Sequence, residues 1–183
     1  MQHGGLESGL IASQRKGLLA CFSGNLLMIS QYSMKNQPAL DISVEEVSLL
    51  LEELGISSGL FYRSLFPVIS ALRSGRSPRA IGMEEQLRTS QDYLSSLRQV
   101  FMEMEKSLSQ LRNTFSAMKD QVAQKQIFSE LDQEVAFYDQ FQKASEVILQ
   151  KLTLIAQEDR LSPLGRAPIE EAWAQVEKLA LEI

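Results

Sequence analysis

Leu87, Leu94, Phe101, Leu108, Phe115 and Val122 stand seven residues apart. Met83, Leu97, Met104, Leu111 and Met118 fill the companion position of the same heptad, with Ser90 the one lapse. A repeat of this kind winds an apolar seam along one side of a helix and predicts left-handed packing against another helix. The seam breaks at Lys125 and Ser129 and resumes in a shifted phase at Phe128, Leu131, Val135 and Tyr138. Beyond that point the apolar face widens to include Phe137, Phe141, Ala144, Ile148, Leu149, Leu152 and Ile155, which suits a bundle helix more than a two-stranded coil. From Met83 to Ser162 there is no Gly and no Pro, the two residues that cost a helix interior about 1 and 3 kcal/mol. The phase break falls in the polar window Lys119 to Gln126. The segment either runs through it as one helix or folds back there. The spacing favours a long antiparallel hairpin with its turn at Lys119–Gln126, because two arms bury both stripes.

The two ends read differently. Residues 1–9 form a loose terminus, and apolar residues between Leu10 and Met34 predict a helix that Asn36-Gln37-Pro38 stops. Ser43-Val44-Glu45-Glu46 has the form of a capping box, predicting a helix from Val44 to Leu54 that Gly55 terminates. A third helix is expected over Gly59–Leu72, interrupted by Pro67, followed by a loop at Ser74–Pro78. After Ser162-Pro163-Leu164-Gly165, Pro168 in a first-turn position opens a short last helix. Its stripe is Ile169, Trp173, Val176, Ala180 and Ile183, with Trp173 as the docking residue. The expected architecture is all-α in three parts: an N-terminal helical subdomain over residues 1–80, the coiled-coil-like hairpin over 81–162, and a docking helix over 163–183.

The formal charge of −5 is unevenly spread. Residues 1–83 hold seven Lys/Arg against six Asp/Glu, and residues 84–183 hold eleven against seventeen. An acidic chain is a poor bulk ligand for phosphate backbones, so nucleic acid is not the expected partner. One cysteine, Cys21, allows no internal disulfide, and no apolar run is long enough to span a bilayer. These features point to the cytoplasm and away from a membrane partner. Leu18-Leu19-Ala20-Cys21 has the letters of a lipoprotein cleavage box, but only four residues separate Lys16 from Cys21, against the roughly 7–15 that a signal core needs.

With His3 the single histidine, histidine acid–base chemistry, catalytic triads and Cys-His zinc sites have no residues to work with. Ser116-Ala117-Met118-Lys119 matches a four-letter motif of penicillin-recognising enzymes without its companion motifs. Glu45/Glu46, Glu52/Glu53 and Glu170/Glu171 are adjacent on helices, where neighbours point about 100° apart, and so read as solvated faces. No catalytic residue, metal ligand or cofactor is expected.

Two positive signals remain. Gly55 to Met83 contains no acid but carries Arg63, Arg73, Arg76 and Arg79, a candidate anion-binding set because guanidinium forks hold phosphate or carboxylate bidentately. Val44 to Ser64 can also be written as a helix-turn-helix around Leu54-Gly55-Ile56-Ser57. Leu51 stands where that motif wants a small residue, and Phe61, Tyr62 and Phe66 stand where polar base readers belong.

The leading expectation is a non-enzymatic assembly or adaptor protein that self-associates as a dimer or larger through Leu94, Leu97, Phe101, Met104, Leu108, Leu111, Phe115 and Met118. Phe137, Tyr138, Phe141 and Ile148 are the candidate partner-facing residues. The alternatives are a dimeric DNA- or anion-binding regulator built on the Arg63–Arg79 region, and a membrane-active helical protein.

Overall fold

The computed structural model describes residues 38–116, 121–158, 160 and 163–183. The expected helix over Leu10–Met34 lies outside the described residues. Four α-helices follow one another: α1 Pro38–Arg73, α2 Met83–Phe115, α3 Gln121–Glu158 and α4 Pro163–Ala180, with no strand among the described residues. The fold is all-α. Two compact units divide it. One takes the described residues up to Gly55 together with Gln99–Tyr138 and Glu182–Ile183; the other takes Ile56–Arg98 and Asp139–Leu181. These units draw on each long helix in turn, where the sequence reading expected three consecutive blocks.

α1 is the largest departure. Val44–Leu54 and Gly59–Leu72 are not separate helices but parts of one helix of 36 residues. It runs through Gly55 and Gly59 and through Pro67. Pro38 opens it, as its fixed φ and missing N–H allow at a first helical position. Ser43 is therefore inside the helix rather than at its cap. The reason is a second heptad. Val44, Leu51, Ser58, Leu65 and Leu72 form one row and Val47, Leu54, Phe61 and Val68 the other, and all nine are buried. Each buried Leu or Phe is worth about 1.5–3 kcal/mol, more than the roughly 1 kcal/mol that a mid-helix Gly costs against Ala. With 44–64 a single helix, the turn that a helix-turn-helix requires is absent.

The left-handed glycine expected at 55 occurs at Gly75, with φ +76°. There Gly75 N–H donates to the Leu72 carbonyl and Arg76 N–H to the Ala71 carbonyl, the paired bonds of a Schellman terminus. A single helical turn follows. Ser77 Oγ accepts from Ala80 N–H at 3.2 Å, and Gly82, with φ +61°, closes the turn with a second pair of the same kind.

α2 buries its seam as the heptad predicts. Met83, Leu87, Leu94, Leu97, Phe101, Met104, Leu108, Leu111 and Phe115 are all buried. The lapse at Ser90 is matched by the neighbouring helix. Ser90 is fully buried, its Oγ lies 2.7 Å from Ser64 Oγ, and Ser64 donates onward to the Phe61 carbonyl at 2.6 Å. Ser90 Oγ also lies 3.3 Å from the Gln86 carbonyl, so each hydroxyl has a carbonyl of its own helix within reach and either can donate to the other.

α2 and α3 form the antiparallel hairpin. In the first unit Phe115 meets the Phe128 ring edge-on with centroids 5.6 Å apart, Arg112 pairs with Asp132, and its guanidinium sits 4.9 Å from the Phe128 centroid. In the second unit Arg98 pairs with Glu146. The chain leaves α2 at Phe115 and re-enters helix at Gln121, ahead of the expected turn. Gln121–Gln126 are helical, and Lys119 and Asp120 lie outside the described residues. Gln, Ala and Lys are good helix formers, so the window's second part, Gln121–Gln126, belongs to α3. The hydroxyls of Thr114 and Ser116 mark the real end, donating to the Gln110 and Asn113 carbonyls at 3.0 and 2.7 Å.

α4 likewise begins earlier than expected, at Pro163, and carries Gly165 and Pro168 inside it. Ile169, Ala172, Trp173 and Val176 form its buried stripe, with Trp173 only 1 % exposed.

Two outcomes follow for calorimetry or chemical denaturation. A Cβ at Gly55 would meet Tyr138 Oη at 3.4 Å and Ile183 Cγ2 at 3.8 Å, ordinary contacts. Gly55→Ala is therefore expected to stabilise by about 0.5–1 kcal/mol, while Gly75→Ala destabilises by about 1 kcal/mol through its positive φ. Equal effects at both positions would mean that Gly55 ends a helix after all. Ser58 is fully buried at a heptad position, and its Oγ has no hydrogen-bond partner among the described residues. Ser58→Ala is expected to gain about 1 kcal/mol, since a buried unpaired hydroxyl carries its full desolvation cost.

Candidate interaction surfaces

The four arginines of the candidate anion set all belong to the second unit. Arg63 and Arg73 are ten residues apart on α1, about 15 Å along the axis. Arg63 Nε donates back to the Gly59 carbonyl at 3.2 Å. Arg73 already holds a carboxylate. Its Nε and Nη2 donate to the two oxygens of Glu170 at 2.8 and 2.6 Å, a bidentate pair between α1 and α4. Arg166 adds a bond from its guanidinium to the Arg73 carbonyl at 3.0 Å. Arg76 and Arg79 are exposed in the 74–82 connection.

Electrostatics and aromatic packing meet at α4. Trp173 stacks on Tyr62 with centroids 5.2 Å apart and planes 11° apart, and Phe66 meets it edge-on at 5.7 Å. The hydrogen bonds from Arg73, then its charge and that of Arg166, hold the Glu170 carboxyl below its ordinary range against a smaller opposing effect of burial. The same hydrogen bond raises the Arg73 pKa further. Burial, and then the nearby Glu177 carboxylate, push the Tyr62 phenol up. Trp173, Glu170 and Arg166 thus make one face of α4 a continuous clasp on the end of α1.

The sequence-predicted association surfaces are core. Leu94, Leu97, Phe101, Met104, Leu108, Leu111 and Phe115 are buried within the single chain, and Met118 lies outside the described residues. Phe137, Tyr138, Phe141 and Ile148 are buried too, so none of them faces outward to a partner. The wide apolar face of α3 finds its cover inside the protein. The large apolar residues that do face outward were not singled out by periodicity. Among them Leu154 is 59 % and Val147 44 % exposed, both on α3.

Beside Leu154 runs an open groove between α2 and α3 of the second unit, with a volume of about 620 Å³. Leu94 and Leu149, both buried, form its floor. Gln91 and Ser95 of α2 and Gln150, Thr153 and Gln157 of α3 form its walls. The Arg98–Glu146 ion pair lies at one end. The Thr153 hydroxyl donates to the Leu149 carbonyl at 2.7 Å. Heptad reasoning could have found this surface, because Val147 and Leu154 are seven apart and off the buried stripe.

Among the described residues no group of three or more His, Cys, Asp or Glu could hold a metal ion, and no helix is long and apolar enough to cross a membrane. Glu45, Glu46, Glu52, Glu53 and Glu171 are exposed, while Glu170 serves Arg73. His3 and Cys21 lie outside the described residues. Compared with models of known families, with curated proteins and with solved structures, the chain matches none.

The clasp has a pH signature. A carboxyl whose folded pKa is depressed contributes stability above its unfolded value, about 4.3, and loses it as pH falls through the folded value. Both partners are more than a third exposed, so solvent screening holds the contribution to about 1 kcal/mol or less. Glu170→Gln is therefore expected to lower the thermal midpoint by a few degrees near pH 7. That difference should close as pH falls through the depressed folded value, where the wild-type carboxyl becomes protonated. A difference of constant size across this range would assign the effect to packing alone.

Proposed function

We propose that this chain is a non-enzymatic helical assembly or adaptor protein that acts through protein–protein interaction and self-association, working in the cytoplasm. The observation that carries the reading is the outer face of the α2–α3 hairpin in the second unit. It exposes Val147 and Leu154 beside a neutral groove, and among the exposed large apolar residues Leu154 is the one that lines that groove. Exposed large apolar side chains next to a concave surface are the usual mark of a docking site. The lone cysteine and the uncovered helical surface both suit a scaffold without disulfide bracing.

A second reading retains one supporting observation. Arg76 and Arg79 are exposed on a connection whose surroundings from Gly55 to Met83 carry no acid in the sequence. A regulator using that loop would bind a phosphate-rich ligand in a salt-dependent way. The membrane-active reading has no comparable support.

Two measurements separate these readings. Light scattering of the full chain at micromolar concentration is expected to give a mass of at least twice 20.5 kDa. A DNA titration at low salt is expected to show no binding. Salt-sensitive binding that falls on Arg76→Ala and Arg79→Ala would replace the adaptor reading with the regulator.

A further inference from the structure

The groove between α2 and α3 carries its own complement. Leu154 lines it and is 59 % exposed, and Val147 lies two turns earlier on the same line of α3. An apolar knob and an apolar-floored hole therefore sit on one face. A two-fold axis through such a face places each knob in the other copy's hole, because an isologous interface uses the same patch twice.

Charge narrows the occupant further. The chain carries −5 overall, so bringing two copies together is opposed wherever like charges meet. Around the groove the exposed helix surface is charged, with Arg88 and Asp92 on α2 and Lys143 and Glu158 on α3. Inside the groove the only charges are Arg98 and Glu146, and they pair with each other. The rest of its walls are amides and hydroxyls. Gln91, Gln150 and Gln157 each present a donor and an acceptor, so each can satisfy its counterpart in a second copy. A basic or acidic partner would find no unpaired charge here to recognise. A small molecule would fit by volume, within the roughly 300–1,000 Å³ of ligand sites, but the groove is open and offers no converging charged group to orient one.

We propose that this groove is the self-association surface of the protein, with Leu154 of one copy seated over Leu94 and Leu149 of a second copy. The inference rests on the self-association reading and names its surface. It also moves that surface from the heptad seam, which the fold buries, to the groove that flanks the seam at Leu94.

The test uses the full chain. Light scattering from about 1 to 100 μM is run on wild type, Leu154→Asp and Gln150→Arg, with circular dichroism and thermal midpoints as controls. Both positions are exposed, so both variants should keep wild-type helix content. The expected result is a wild-type dimer whose dissociation constant rises at least tenfold in each variant. In a Cys21→Ser background, Leu154→Cys should form an interchain disulfide under mild oxidation, since a two-fold interface brings residue 154 of both copies near one groove. A dimer that both variants leave intact would overturn this surface while keeping self-association. A wild-type chain that stays monomeric at the highest concentration would overturn both. Should Leu154→Asp lose helix, Gln150→Arg and the cysteine variant decide the question alone.

Discussion

Three-four apolar spacing on long helices is the constraint on which the rest of this structure depends. α1 shows how far it reaches. Nine positions from Val44 to Leu72 alternate steps of three and four and are buried throughout. That continuity outweighs two glycines and a proline that would end an isolated helix. Helices in proteins owe most of their stability to a packed face rather than to propensity. α1 follows this rule where a residue-by-residue count of breakers did not. The glycine that does end α1, Gly75, stands where the buried row has run out.

Polar residues that interrupt the apolar rows are accommodated in different ways. Ser90 finds Ser64 across the helix interface, and Ser145 turns back to the Phe141 carbonyl at 2.7 Å. Ser58 finds nothing among the described residues. The ion pairs Arg98–Glu146 and Arg112–Asp132 lie on the exposed margin of the hairpin, and Arg73–Glu170 on that between α1 and α4. Pairs in such positions contribute little to stability. They do specify which residues face each other, since a heptad seam alone tolerates sliding by a full repeat. Arg73 illustrates the functional consequence. A guanidinium that reads in the sequence as an anion receptor serves here as a fastener for α4.

The consequence for the proposed function is a shift of surface. Burying both stripes of the hairpin removes them as contact faces and leaves the outside of the same helices to meet other molecules. In the second unit that outside carries a narrow neutral strip with Val147 and Leu154 exposed, flanked by charge. Such a strip favours a partner of matching neutrality over one attracted by a field, which is why a second copy of an acidic chain suits it.

The sequence by itself determined the helical class, the antiparallel hairpin, the buried seam from Met83 to Phe115 and the docking of Trp173. Each of these follows from local periodicity, which one chain segment expresses without knowing its neighbours. Only the tertiary structure decided that Val44–Leu72 is one unbroken helical row and that Phe137, Tyr138, Phe141 and Ile148 face inward. The same holds for the commitment of Arg73 to Glu170, 97 residues away. The physical reason is common to all three. A glycine's local cost, an apolar face's surplus and an arginine's free charge have signs that depend on what lies opposite. What lies opposite is set by helices distant in sequence.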